Sequence, residues 1–141
     1  MLSVRSDARG ERAAYVARLC ALVAADLEVG SPDPDRRLQP LTISVVDDSD
    51  IAGWLLVQVT GEPPWMHGFG VDTTWTDNHT LEIVASGLQD AVIEILMITV
   101  PACPGHPHPL NIAVSNVVEW ICPRDPRHFR RRVGDLGRTS S

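Results

Sequence analysis

The chain has 141 residues, of which 44% are hydrophobic and 21% charged, enough for one domain that buries a core without disulfide staples. Its formal charge is −6, and all twelve basic residues are arginine, with no lysine, a bias that resembles the codon usage of GC-rich actinobacteria. Three cysteines cannot all pair, and no segment reads as a signal peptide or as the roughly 20 apolar residues of a membrane span, so the expected setting is the cytoplasm.

In chain order, Ala13, Val16, Ala17, Cys20, Leu22, Val23 and Leu27 recur at helical spacing, which predicts an amphipathic helix over residues 10–28. Arg12, Arg18 and Asp26 lie elsewhere on that wheel. Gly30 should end the helix, and Ser31 to Asp35, with two prolines, should form a loop. Leu41, Ile43 and Val45 alternate with Thr42 and Ser44 as in a half-buried strand, Asp47 to Asp50 supply an acidic turn, and Ile51 to Thr60 return as the second strand. Residues 61–78 read as irregular or as a short strand from Val71 to Trp75. Leu81, Val84, Ala85, Leu88, Val92, Ile95, Leu96 and Thr99 then predict a central helix from Thr80 to about Val100, capped by Asp77, Asn78 or Thr80 and stopped by Pro101.

Leu110 to Ile121 reads as one strand or as a hairpin broken at Ser115-Asn116. Pro126 to Leu136 reads as a short basic helix. The expected fold is therefore α+β: one domain over residues 1–141, with two long helices packed on a small, mostly antiparallel sheet, a metal-stabilised C-terminal loop, and frayed ends at about 1–8 and 137–141.

The chemistry is concentrated in Cys103-Pro104-Gly105-His106-Pro107-His108, followed by Cys122-Pro123. Two thiolates and two imidazoles suit a tetrahedral zinc ion, and structural sites draw ligands from two chain segments. The two-residue spacer between Cys103 and His106 lets one turn present both, and Cys122 is the natural third ligand. His108 is preferred over His128 for the fourth position. Four protein ligands make a closed structural site. A hydrolase would need an open position and a base, for which Glu119 is the nearest candidate. The competing reading is an ordinary solvated loop with buried, inert thiols. Cys20, on the apolar face of the first helix, reads as core.

Six arginines, among them Arg127, Arg130, Arg131 and Arg132, fall within residues 124–141 against only Asp125 and Asp135. They are candidate contacts to a protein partner or to nucleic acid, though the acidity of the whole chain opposes the latter, and a solvated or self-docked basic face is the favoured reading over nucleic-acid binding. Of the four tryptophans, Trp65, Trp75 and Trp120 are expected near one another, with Trp54 or Trp65 able to line a groove. His67 and His79 stand isolated.

The Leu88 to Glu94 run, the Pro101 to Leu110 loop, Val118 to Pro123 and Val133 to Leu136 together resemble a group of small uncharacterised actinobacterial proteins. The resemblance covers about the last third of the chain. It implies that Cys103, His106, His108 and Cys122 are signature positions and that Gly134-Asp135-Leu136 closes the same unit; it carries no activity. The expected function is thus a small zinc-binding interaction module, with a nucleic-acid-binding module and a zinc hydrolase as alternatives.

Overall fold

The computed structural model describes residues 2–29, 40–62 and 65–139. Four strands, β1 (Leu2–Ser6), β2 (Leu41–Asp47), β3 (Trp54–Gly61) and β4 (Trp65–Asp72), form one sheet in that order. β1 runs parallel to β2, from Leu2 opposite Leu41 to Ser6 opposite Val45, and the remaining pairs are antiparallel. The parallel pair is connected through helix α1 (Glu11–Val29), as a crossover requires. Helix α2 (Asp77–Leu96) packs beside α1, and together they cover the sheet face carrying Leu41, Ile43, Val45, Leu55, Val57, Val59 and Val71, all buried.

A second sheet corrects the expectation of two helices on one small sheet. β5 (Asn111–Val114), β6 (Val118–Ile121) and β7 (Arg130–Arg132) form a separate antiparallel sheet in that order, and β5 and β6 pack on α2. The basic stretch expected as a helix from Pro126 to Leu136 is an exposed loop followed by β7. Trp120 pairs with Arg131 in the ladder, and the Cys122 amide donates to the Phe129 carbonyl at 3.1 Å, so pairing with β6 overrides the helical preference of arginine. Only the short α3 (Leu136–Thr139) is helical there, and it lies against α1.

Other boundaries shift for local reasons. Leu2–Ser6, expected to fray, is a strand whose edge is satisfied by β2. β4 begins at Trp65 rather than Val71 because Gly68 and Gly70 interrupt the apolar alternation; a Cβ on Gly70 would sit 3.0 Å from the Trp54 ring, so glycine makes room for that indole. Thr76 caps α2, its hydroxyl accepting from the His79 amide at 3.2 Å. The helix ends at Leu96, before Pro101, because Met97 turns left-handed (φ 54°) while its amide still donates to the Ile93 carbonyl at 2.8 Å. The loop over residues 30–35 lies outside the described residues.

Asp26 does not belong to a polar face. It is fully buried in α1, where its carboxylate accepts the Trp120 indole N–H at 2.8 Å, the Gly137 amide at 2.9 Å and the Gly134 amide. A buried carboxylate is tolerated only when saturated with donors, and here every donor comes from the second sheet or the segment after it. Trp120 is accordingly in the core between the two units. Trp75, expected near Trp120, instead lies in the turn before α2 and packs edge to face on Trp54 of β3 at 5.4 Å and on His79 at 4.6 Å.

Candidate metal centre

Two loops meet at the candidate site. The first, residues 101–109, is pinched at its neck: the Leu110 amide donates to the Pro101 carbonyl at 2.9 Å, Ala102 bridges to Pro109, and the Cys103 amide donates to the His108 carbonyl at 3.0 Å. Gly105 adopts φ +80°, a turn conformation natural to glycine, and the His106 amide donates to the Cys103 carbonyl at 3.1 Å. From α2, the buried Gln89 amide group donates to the carbonyls of Val100 (3.2 Å) and Leu110 (2.7 Å), one on each flank of the neck. The second loop joins β6 to β7 and is closed by the Cys122 amide on Phe129; within it the Arg127 amide donates to Asp125 Oδ1 (2.9 Å) and the His128 amide to the Asp125 carbonyl (2.9 Å).

The ligand atoms of Cys103, His106, His108 and Cys122 all lie within 4.8 Å of one another, close enough to hold a metal ion. His106 Nδ1 is 3.4 Å from both the Cys103 and Cys122 sulfurs. Both thiols are free and buried, and the two histidines are half-buried. His108 Nδ1 lies 3.3 Å from the Pro109 carbonyl oxygen, which can only accept, so Nδ1 is the donor in that contact. The ring thus keeps a buried nitrogen, Nε2, with no hydrogen-bond partner in a cluster with two thiols, a donor free for a metal ion.

The sequence reading left His128 as the alternative to His108, and the structure brings it to the same place. His128 Nδ1 is 3.5 Å from the Cys103 sulfur, the His128 side chain hydrogen-bonds Cys122, and its ring lies tilted 4.4 Å from that of His106, which is 5.0 Å from that of His108. Unlike the others, His128 is exposed.

The two thiols are electrostatically unlike. Burial pushes Cys103 up, as do its hydrogen bond to Cys122 and the charge there. Burial acts upward on Cys122 too, but amide hydrogen bonds from Asp125 and Arg124, with others from His128 and Cys103, reverse it and hold the thiol below its ordinary range. Cys20 is separate from the site, buried in α1 and pushed up to about 12 by desolvation.

Glu119, the candidate base of a hydrolase, directs Oε1 to Arg130 Nε at 3.6 Å on the β6–β7 ladder. Arg124, Arg127, Arg130, Arg131 and Arg132 are all exposed on the same hairpin, with Arg131 over the Phe129 ring at 5.4 Å. His67 and His79 lie outside the site, paired with Glu94 (2.9 Å) and Glu82 (3.0 Å) respectively. Gln89 was missed in the sequence as a site-positioning residue; the only signal was a polar side chain on an otherwise apolar helix face. Comparison with protein-family models, curated proteins and solved structures gave no match to this chain.

Proposed function

We propose that the chain is a zinc-stabilised interaction module in which the ion fastens the 101–109 loop to the β6–β7 loop and the adjoining arginines meet a partner. The observation that carries the reading is the convergence of ligand atoms of Cys103, His106, His108 and Cys122 within 4.8 Å of one another. Mixed thiolate and imidazole donors in a small enclosed volume favour zinc over oxygen-seeking ions such as magnesium or calcium. The role is structural, because the donors outnumber what an open catalytic ion requires and Glu119 is engaged by Arg130.

The partner is a protein with an acidic surface, matched to the exposed arginines at 124, 127, 130, 131 and 132. Nucleic acid is the second reading, supported by the gathering of those five guanidinium groups on one hairpin. No helix among the described residues is long and apolar enough to cross a membrane.

Elemental analysis of untagged protein tests the metal reading: about one zinc per chain in the parent, lost in Cys103→Ser and Cys122→Ser, is expected. A metal-free parent that stays metal-free when zinc is added overturns it.

A further inference from the structure

Five donors surround a space that one tetrahedral ion can fill with four. Metal–sulfur and metal–nitrogen bonds of about 2.3 and 2.0 Å place sulfur and nitrogen about 3.5 Å apart along the edge of a tetrahedron. The observed contacts, 3.4 Å from His106 Nδ1 to each sulfur and 3.5 Å from His128 Nδ1 to Cys103, are such edges before any ion is present. His128 thus stands against Cys103, and also hydrogen-bonds Cys122, as a second candidate for the fourth place beside Cys103, His106 and Cys122. The set whose ligand atoms all lie within 4.8 Å of one another is Cys103, His106, His108 and Cys122. The two sets share three donors and differ only in the fourth.

We infer that this site has an interchangeable fourth ligand: exposed His128 and enclosed His108 alternate on one ion held permanently by Cys103, His106 and Cys122. The inference rests on the metal reading above and adds to it a second coordination state. The two histidines are built for different parts. His108 Nδ1 faces the Pro109 carbonyl, and its Nε2 is buried without a hydrogen-bond partner. His128 stands at the end of a loop in which every residue from Pro123 onward is exposed. When His128 leaves, His108 closes the tetrahedron, so the loop carrying Arg124 and Arg127 comes free of the ion without loss of the ion. A partner that engages those arginines would thus select the His108-ligated state.

Cobalt(II), which absorbs strongly in the visible when bound tetrahedrally by thiolates, is the probe. His108→Ala and His128→Ala should each keep the tetrahedral spectrum, with affinity lowered no more than about tenfold, while the double variant should lose the spectrum or bind at least about 100-fold more weakly. Loss of the spectrum in one single variant, with the other unchanged, would overturn the inference by showing a fixed fourth ligand; so would a double variant that binds as the parent does. Failure of the metal reading itself gives a different result, a parent with no cobalt spectrum or a Cys103→Ser variant that retains it. Because both histidines lie in loops, far-ultraviolet circular dichroism of the double variant should match the metal-free parent, which separates lost ligation from lost folding.

Discussion

The Trp120 indole N–H donates to the Asp26 carboxylate at 2.8 Å, with both side chains fully buried and 94 residues apart in the chain. This bond, with the Gly134 and Gly137 amides on the same carboxylate, docks the second sheet on α1. Asp26→Ala leaves these donors without that acceptor in a dry interior, and should lower unfolding free energy by about 3–5 kcal/mol in urea titrations. Trp120→Phe keeps most of the ring and should cost about 1–3 kcal/mol. A loss below about 1 kcal/mol for Asp26→Ala would mean the carboxylate is not what holds the units together.

Gln89 has the equivalent role on α2, bonding Val100 and Leu110 on the two flanks of the 101–109 loop. Gln89→Leu retains apolar volume but abandons both carbonyls. Zinc affinity, measured by competition with a chromogenic chelator, should fall about 10- to 100-fold although no ligand has been changed. Unchanged affinity would show that the neck is held well enough by its own backbone bonds.

If the proposed ion is bound, its removal should loosen the molecule unevenly. With a chelator present, amide hydrogen exchange should rise first in residues 101–133, around β5, β6 and β7, while β2 and β3, at the centre of the other sheet, stay protected. A uniform rise across both sheets would place the ion's contribution in the whole fold instead.

Alkaline pH should act through Cys20. Its folded value, about 12, lies above the ordinary 9.0, so the folded state prefers the neutral thiol. The associated stability is present in full below about pH 9 and is lost as pH rises from there toward 12. Cys20→Ala, less stable at neutral pH because of the cavity it leaves, should lose less stability than the parent between about pH 8 and pH 11. Equal losses in chemical denaturation at the two pH values would refute this.

Gly87, inside α2, lies against the Phe69 ring, where an added Cβ would come within 2.6 Å of three ring carbons. Gly→Ala inside a helix ordinarily gains up to about 1 kcal/mol. Here overpacking should reverse the sign, and Gly87→Ala should lower the denaturation midpoint by an amount worth about 1–3 kcal/mol. A raised midpoint would show that Phe69 moves aside freely.

Periodicity made α1 and α2, the β2–β3 turn and the break at Ser115-Asn116 legible, because each is a local pattern. What it could not show was long-range. Asp26 reads as surface on a helical wheel, and only its partners, about a hundred residues away, explain its burial. The arginines of β7 carry no strand signal, since it is the open edge of β6 that recruits them. Glycines at 68 and 70 concealed β4 by removing the side chains on which alternation is counted. The ligand cluster was readable because its residue types are rare and closely spaced. His128 was harder to place, since spacing alone does not say where an exposed loop turns.

The separations in this molecule also bear on the order of its assembly. Cys103 and His128 are 25 residues apart, Asp26 and Trp120 94, so closing the metal loop costs about 1 kcal/mol less chain entropy than closing the helix-to-sheet contact. An ion captured early would therefore knit the C-terminal hairpins before the rest of the chain has found them. Asp26 and Gln89 would then dock a preformed unit, and availability of the ion would set the pace of folding as well as its end point.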